Sequence, residues 1–152
     1  MTEQSPYTAA GFTPSEEEVQ LLLAWFAEYD AHVEHGRVAE MADMALFPLV
    51  VMTNDSAGEC VTQEWDRATF VQAMGMAVGD GDPATPKLEN HRRPVFLGPD
   101  LAVVVTDTTM TLGDQAQHMR YVDVMAKTGG RWRFKSMVQA GWGDMLRDQL
   151  GA

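Results

Sequence analysis

From Asn90 onward the chain is dominated by strand-like runs, and this feature most restricts the fold. "NHRRPVFLG", "LAVVVTDTTMTL", "QHMRYVDVMAK" and "RWRFKSMVQAG" are separated only by the turn sequences "GPD", "GDQ" and "TGG". Connections so short join antiparallel neighbours, so the four runs predict one continuous meander. A meander buries one face against a second layer, and that layer has to come from the preceding residues.

Those residues supply helices. "TPSEEEV" reads as a helix start, with Thr13 as N-cap, Pro14 in the first turn and Glu16 completing a capping box. From Val19 the apolar positions Leu22, Leu23, Phe26, Tyr29 and Val33 keep a three/four spacing, one face of a long amphipathic helix that Gly36 ends. "RVAEMADMAL" predicts a shorter helix stopped by Pro48, after which "LVVMT" changes to a strand period. "NDSAG" is a turn, "ECVTQ" pairs back, and "WDRATFVQAMGMAV" places Phe70, Val71, Met74 and Val78 on one helical face. The loop "GDGDPATPK" then leads into the meander. The order predicts an α+β domain over residues 14–152, with three N-terminal helices packed on a strongly curved, mainly antiparallel sheet. Residues 1–13 are expected to form a flexible lead-in.

The charge balance narrows the partners. Twenty-two acidic against 11 basic residues leave a net charge of -11, which repels phosphate backbones and anionic lipid, so neither nucleic acid nor membrane is an expected partner. No run approaches the roughly 20 apolar residues of a membrane helix. The N-terminus carries no basic and apolar leader pattern, and the lone Cys60 forms no internal disulfide or CxxC pair, which fits a cytoplasmic protein. His32, His35, His91 and His118 make no metal-ligand pattern, and no phosphate loop or dinucleotide fingerprint occurs, so no metal or cofactor is expected. The 11 methionines and four tryptophans suit an apolar cavity, although filling an irregular core is their commoner use.

One residue in the meander asks for a reason. In "HMRYVDVM" the faces are His118, Arg120, Val122, Val124 and Met119, Tyr121, Asp123, Met125. If the second set faces inward, Asp123 is enclosed and its pKa rises; if the valines do, Asp123 is solvated or paired with a neighbour such as Arg133. Periodicity leaves both open. On the last strand, alternation turns Trp132, Phe134, Ser136, Val138, Ala140 and Trp142 inward.

The residues "YDAHVEHGRVAEMADM" from Tyr29, "RRPV", "VDVM", a turn with Gly130, and "SMVQAGW" together resemble the ketosteroid isomerase branch of the nuclear transport factor 2-like (SnoaL-like) superfamily. The likeness runs in order from Tyr29 to Trp142. It implies a cone-shaped, cystatin-like α+β roll enclosing an apolar pocket, often within a homodimer. It also implies acid/base chemistry without metal on a small apolar carbonyl compound, as an isomerase, dehydratase or cyclase. Ketosteroid isomerase is itself the standing example of a carboxylic acid kept neutral by an apolar site. By position, Tyr29 and Asp123 become the two hydrogen-bond donors to a developing enolate and Met125 and Trp142 line the pocket, with Phe26, Thr53 and Phe134 as further pocket candidates. At the position of the base the chain departs from the branch. A gap-free count from Tyr29 places Thr53 there, and threonine cannot take a proton from carbon. Asp55, two residues on and on the same strand face, is the candidate substitute, with Asp107 and His118 as further candidates. The alternative is a non-catalytic binding or dimerisation module, or an accessory subunit of a larger enzyme.

Overall fold

Two overlapping capping boxes, Thr13 with Glu16 and Ser15 with Glu18, compete to start the first helix, and the second wins. In the computed structural model, which describes residues 11–78 and 87–150, helix α1 spans Glu16–Glu34 with Ser15 as N-cap. The Ser15 hydroxyl accepts from the Glu18 N–H at 3.1 Å, and the Ser15 N–H donates to the Glu18 carboxylate at 2.7 Å. This frame corrects the expected Thr13 cap. It places Glu16, Glu17 and Glu18 all in the first turn, against the positive end of the helix. Leu22 and Phe26 are buried along the predicted stripe, with Trp25, Tyr29 and Val33 packed partly beside them. Gly36 follows the helix at φ 66°, a conformation that needs glycine.

Helix α2 is shorter than expected, Val38–Asp43, and strand β1 (Ala45–Asn54) begins before the proline rather than after it. Tertiary pairing overrides the helical pattern. The Phe134 N–H donates to the Met44 carbonyl at 3.1 Å, and Ala45 pairs with Phe134 on the last strand. Pro48 falls where that register shifts, between Ala45 and Val50, a place where a missing N–H breaks no ladder. Strand β2 (Cys60–Trp65) returns antiparallel, and helix α3 (Arg67–Val78) follows, its start tied by the Thr69 N–H to Asp66. On α3 Phe70 and Met74 are buried as expected. Val71 is 37% exposed, and Ala73 packs on the core instead. The side chain of Val78, residues 79–86 of the expected loop and residues 1–10 lie outside the described residues.

The meander forms as predicted: β3 (Lys87–Gly98), β4 (Leu101–Leu112), β5 (Gln115–Thr128) and β6 (Arg131–Gln139). One six-stranded sheet results, in the order β2-β1-β6-β5-β4-β3, with every pair antiparallel except β1 with β6. The parallel pair joins the two halves of the chain. A bulge corrects the expected alternation of the last strand. Met125 pairs with Phe134 but Val124 pairs with Ser136, so Lys135 is the extra residue. Trp132 and Phe134 face inward before it. After it Met137 is buried, and Ser136 and Val138 lie on the opposite face.

A fourth helix, α4 (Gly143–Leu150), was not anticipated from the sequence. Its Leu146 is 1% exposed and joins the core. A Cβ at Gly143 would stand 2.7 Å from the Asp55 Cβ and 2.8 Å from the Asn54 carbonyl oxygen, so only glycine allows the helix to start there. The core is the space between helices and sheet, filled by Leu22, Phe26, Leu49, Trp65, Phe70, Val104, Met125 and Phe134 among others. Among the described residues no helix is long and apolar enough to cross a membrane.

Candidate functional site

The inward faces of three meander strands place polar groups in directly paired rows. Arg92 on β3 stands opposite Thr106 on β4, which stands opposite Tyr121 on β5; one pair further on, Pro94, Val104 and Asp123 form the next row. The structure therefore decides the question that periodicity left open. Asp123 and Met125 face inward, 7% and 0% exposed, and Val122 and Val124 take the outer face.

Burial pushes the Asp123 carboxyl up to about 7; nearby Arg92 opposes this and Asp30 adds to it. No described residue gives the carboxyl a hydrogen bond. Tyr29 reaches the same region from α1. Its ring stacks on Trp25, 5.8 Å between centroids, and meets Phe134 edge-on at 5.4 Å. Burial, then the proximity of Asp123 and Tyr121, raises its hydroxyl well above the ordinary tyrosine value. Tyr29 thus lies within electrostatic reach of Asp123, and Phe26 and Phe134, 2% and 3% exposed, belong to the core against which Tyr29 packs.

Asp55 and Thr53 have other engagements. The Asp55 carboxylate accepts from the Ala57 and Glu59 N–H groups, both at 2.9 Å, and is ion-paired with Arg147 of α4. Hydrogen bonds from Glu59 and Arg147 hold its pKa below the usual aspartate value. Thr53 faces inward, 5% exposed, and its hydroxyl accepts from the Trp142 N–H at 2.9 Å, which fixes Trp142 at the edge of the core. Asp107 lies on the outer face, paired with Arg120 at 2.6 Å and Arg93 at 3.4 Å. Arg120 first, then Arg93, lowers its pKa. His118 is exposed beside Thr109.

Sequence reading missed a part-buried ion pair, Arg92 with Asp30. The Arg92 guanidinium binds both oxygens of Asp30, with Nη2 2.8 Å from Oδ1, and Nη2 also donates to the Tyr121 hydroxyl at 3.3 Å. It lies 4.4 Å from the centroid of the Phe26 ring, a favourable face for a cation. Among the described residues three buried side-chain atoms have no partner, Arg92 Nε, Thr106 Oγ1 and Arg133 Nε, and the first two lie in directly paired positions on this inward face. The signal for Arg92 was its place in register with Pro94 and Phe96, an inward set by alternation. Asp30 carried none, because its partner lies 62 residues away. Among the described residues no three His, Cys, Asp or Glu side chains gather closely enough to hold a metal ion. An open depression of about 580 Å³ runs along β2, lined by Cys60, Val61, Gln63, Trp65, Thr69 and Arg147 among others. None of the residues expected around a ligand borders it.

No protein-family model matches the chain. No curated protein matches it either. Solved structures do. A nuclear transport factor 2-like protein of unknown function from Shewanella oneidensis superposes with a TM-score of 0.64 at 11% identity, covering 78% of this chain and 95% of its own. A candidate scytalone dehydratase from Novosphingobium aromaticivorans gives 0.58 at 15% identity, covering 80% and 81%. A domain of unknown function with a cystatin-like fold from Nostoc punctiforme gives 0.62 at 13% identity, covering 91% and 89%. At such identities the likeness is one of fold and does not select the ketosteroid isomerase branch. The chain has the nuclear transport factor 2-like, cystatin-like α+β fold.

Proposed function

We propose that the chain binds a small carbonyl compound through Tyr29 of α1 and Asp123 of β5, which polarise its carbonyl by donating hydrogen bonds. The supporting observation is Asp123 itself, a carboxyl buried beside a tyrosine hydroxyl with no bond of its own. A buried polar group without a partner is costly to the free protein, and a ligand oxygen would remove that cost. Around neutrality Asp123 carries its proton much of the time, so it can donate. Two fixed donors favour the charge that develops on the oxygen of an enolate. Isomerisation, dehydration and ring closure of carbonyl compounds can all pass through that species.

The test uses 2-naphthol, a fluorescent aromatic alcohol whose oxygen stands in for that of an enol. Titration of the full chain is expected to give saturable binding. Loss of one hydrogen bond is worth about 1.5 kcal/mol at the upper end for neutral groups, so Tyr29→Phe and Asp123→Asn should each weaken binding by up to about tenfold. Equal affinity in all three proteins would sink the proposal.

A second reading, homodimer formation, is favoured by the outer face of the sheet. Val95, Val103, Val124, Ser136 and Val50 form one row across five strands, and Arg93, Val105, Val122, Val138 and Met52 the next. Val95 is 53% exposed and Met52 42%, and contiguous apolar surface of this kind marks association sites. Sedimentation of the wild type is expected at twice the chain mass, and of Val122→Asp at the chain mass. A wild type that sediments as a monomer at tens of micromolar would refute the dimer.

A further inference from the structure

A donor pair polarises a carbonyl, but proton transfer at carbon also needs an acceptor. We propose that Asp30 is that acceptor, held as a carboxylate by Arg92, and that Arg92 thereby divides two neighbouring carboxyl groups into a base, Asp30, and an acid, Asp123. The inference rests on the function proposed above.

The arginine treats the two acids differently. It binds both oxygens of Asp30, and it forms no hydrogen bond with Asp123. Asp123 is buried, and the charge of Asp30 nearby further disfavours its ionisation. One carboxyl group is thus gripped by a guanidinium and the other is buried without one, an asymmetry of surroundings of the kind that separates a base from an acid. The Arg92 side chain is 7% exposed and that of Asp30 33%, so the carboxylate is the more accessible member of the pair. A two-pronged guanidinium leaves each oxygen a further lone pair for a proton. Arg92 is held in turn by Tyr121 and by the Phe26 ring, so the base has a fixed orientation.

The other candidates are occupied or distant. The Asp55 oxygens are taken by two N–H groups and Arg147, the Thr53 hydroxyl by the Trp142 N–H, and Asp107 lies on the outer face. A second observation points to a ligand at the Arg92 end. Arg92 Nε and Thr106 Oγ1, in directly paired positions on the inward face, are buried donors without acceptors. They suit a second oxygen on the bound molecule, which would then carry two acceptors rather than one.

The step balances without a co-reactant. The Asp30 carboxylate removes a proton from the carbon beside the ligand carbonyl. The C–H electron pair forms the C=C bond of the enolate, and the carbonyl π pair moves onto oxygen, where Tyr29 and Asp123 hold it. Protonated Asp30 then returns its proton to the same carbon or to a conjugated one.

Exchange of the α-protons of 2-tetralone, an enolisable ketone, in deuterated water near neutrality is followed by proton NMR with the full chain. The wild type is expected to accelerate exchange over buffer. Positioned acid/base groups contribute about 100-fold or more, so Asp30→Asn should lose about that factor at saturating 2-tetralone, where weaker binding does not enter the rate. Asp30→Glu, which keeps a carboxylate, should restore part of the rate. Should Asp30→Asn fail to fold, the double variant Asp30→Leu with Arg92→Met replaces the pair by apolar groups and gives the same reading. Exchange within threefold of wild type in either variant overturns the role of Asp30 and leaves the donor pair standing. A wild type that binds 2-naphthol through Tyr29 and Asp123 yet exchanges no faster than buffer overturns the base while leaving the binding site intact. A wild type that does neither overturns both.

Discussion

Asp123→Asn is expected to be more stable than the wild type at neutral pH, and the difference between them is expected to grow by about 2 kcal/mol between pH 5 and pH 7. The sign follows from proton linkage. Burial raises the Asp123 carboxyl from 3.8 in the unfolded chain to about 7 in the folded one, so in that window the folded state holds the proton and the unfolded state does not. Stability conferred by a raised acid is complete below the unfolded value and is lost as pH rises toward the folded one. Each pH unit inside the window costs about 1.4 kcal/mol, and the slope flattens near pH 7 as the folded carboxyl ionises. Asparagine fills the same space without a proton to lose. Asp55, Asp66 and Asp107 act in the opposite sense: their lowered values contribute stability above the unfolded pKa that disappears as pH falls through the folded one. They are common to both proteins and cancel in the difference. Urea unfolding at pH 5, 6 and 7 measures it, and a gap that stays constant would mean that Asp123 is ionised in the fold. The same substitution is expected to weaken 2-naphthol binding, so this residue would cost the fold stability for the sake of the site.

Arg92→Met alone is expected to destabilise the protein by about 3 kcal/mol, whereas Arg92→Met with Asp30→Leu should come within about 1 kcal/mol of wild type. Removing one member of a buried ion pair leaves the other charge uncompensated, a loss of about 3–5 kcal/mol. The lower end applies because the Asp30 side chain is one third exposed and keeps part of its hydration. The single substitution also forfeits the cation above Phe26 and the donor to Tyr121. Replacing both charges by apolar groups avoids the uncompensated charge, and buried pairs so replaced are often neutral in stability. A double-mutant cycle from urea midpoints yields the coupling directly. Additive losses, with the double variant worse than either single one, would show that the pair contributes by shape rather than by charge.

These two effects meet at one place in the fold, and the route to it was only partly visible in the chain. Alternation and short turns are local properties, so the four meander strands, the hairpin partner "ECVTQ" and the stripe Leu22, Phe26, Tyr29 could be read from residues within a few positions of one another. The first helix cap could not, because Thr13 and Ser15 both satisfy the capping pattern, and the choice lies in which frame places three glutamates in the first turn. Nor could the end of the second helix. The chain leaves helical geometry at Met44 because a strand 90 residues later is there to pair with it.

The site divides along the same line. Tyr29, Asp123 and Met125 were singled out by position in a resemblance; in the structure Asp123 and Met125 share the inward face of β5, and Tyr29 packs on the core to which Met125 belongs. Asp55 was placed on the correct strand end, but its bonds depend on Arg147, 92 residues away on a helix that had not been anticipated. The β6 bulge reversed the inward face after Phe134 because register belongs to a pair of strands, not to one. By itself the sequence determined which segments alternate, which spiral and where an acid interrupts a strand, since each depends on neighbouring residues alone. Only the tertiary structure decided that Asp123 faces inward and that Arg92 claims Asp30 in its place, because burial and pairing arise when distant segments fill the same space.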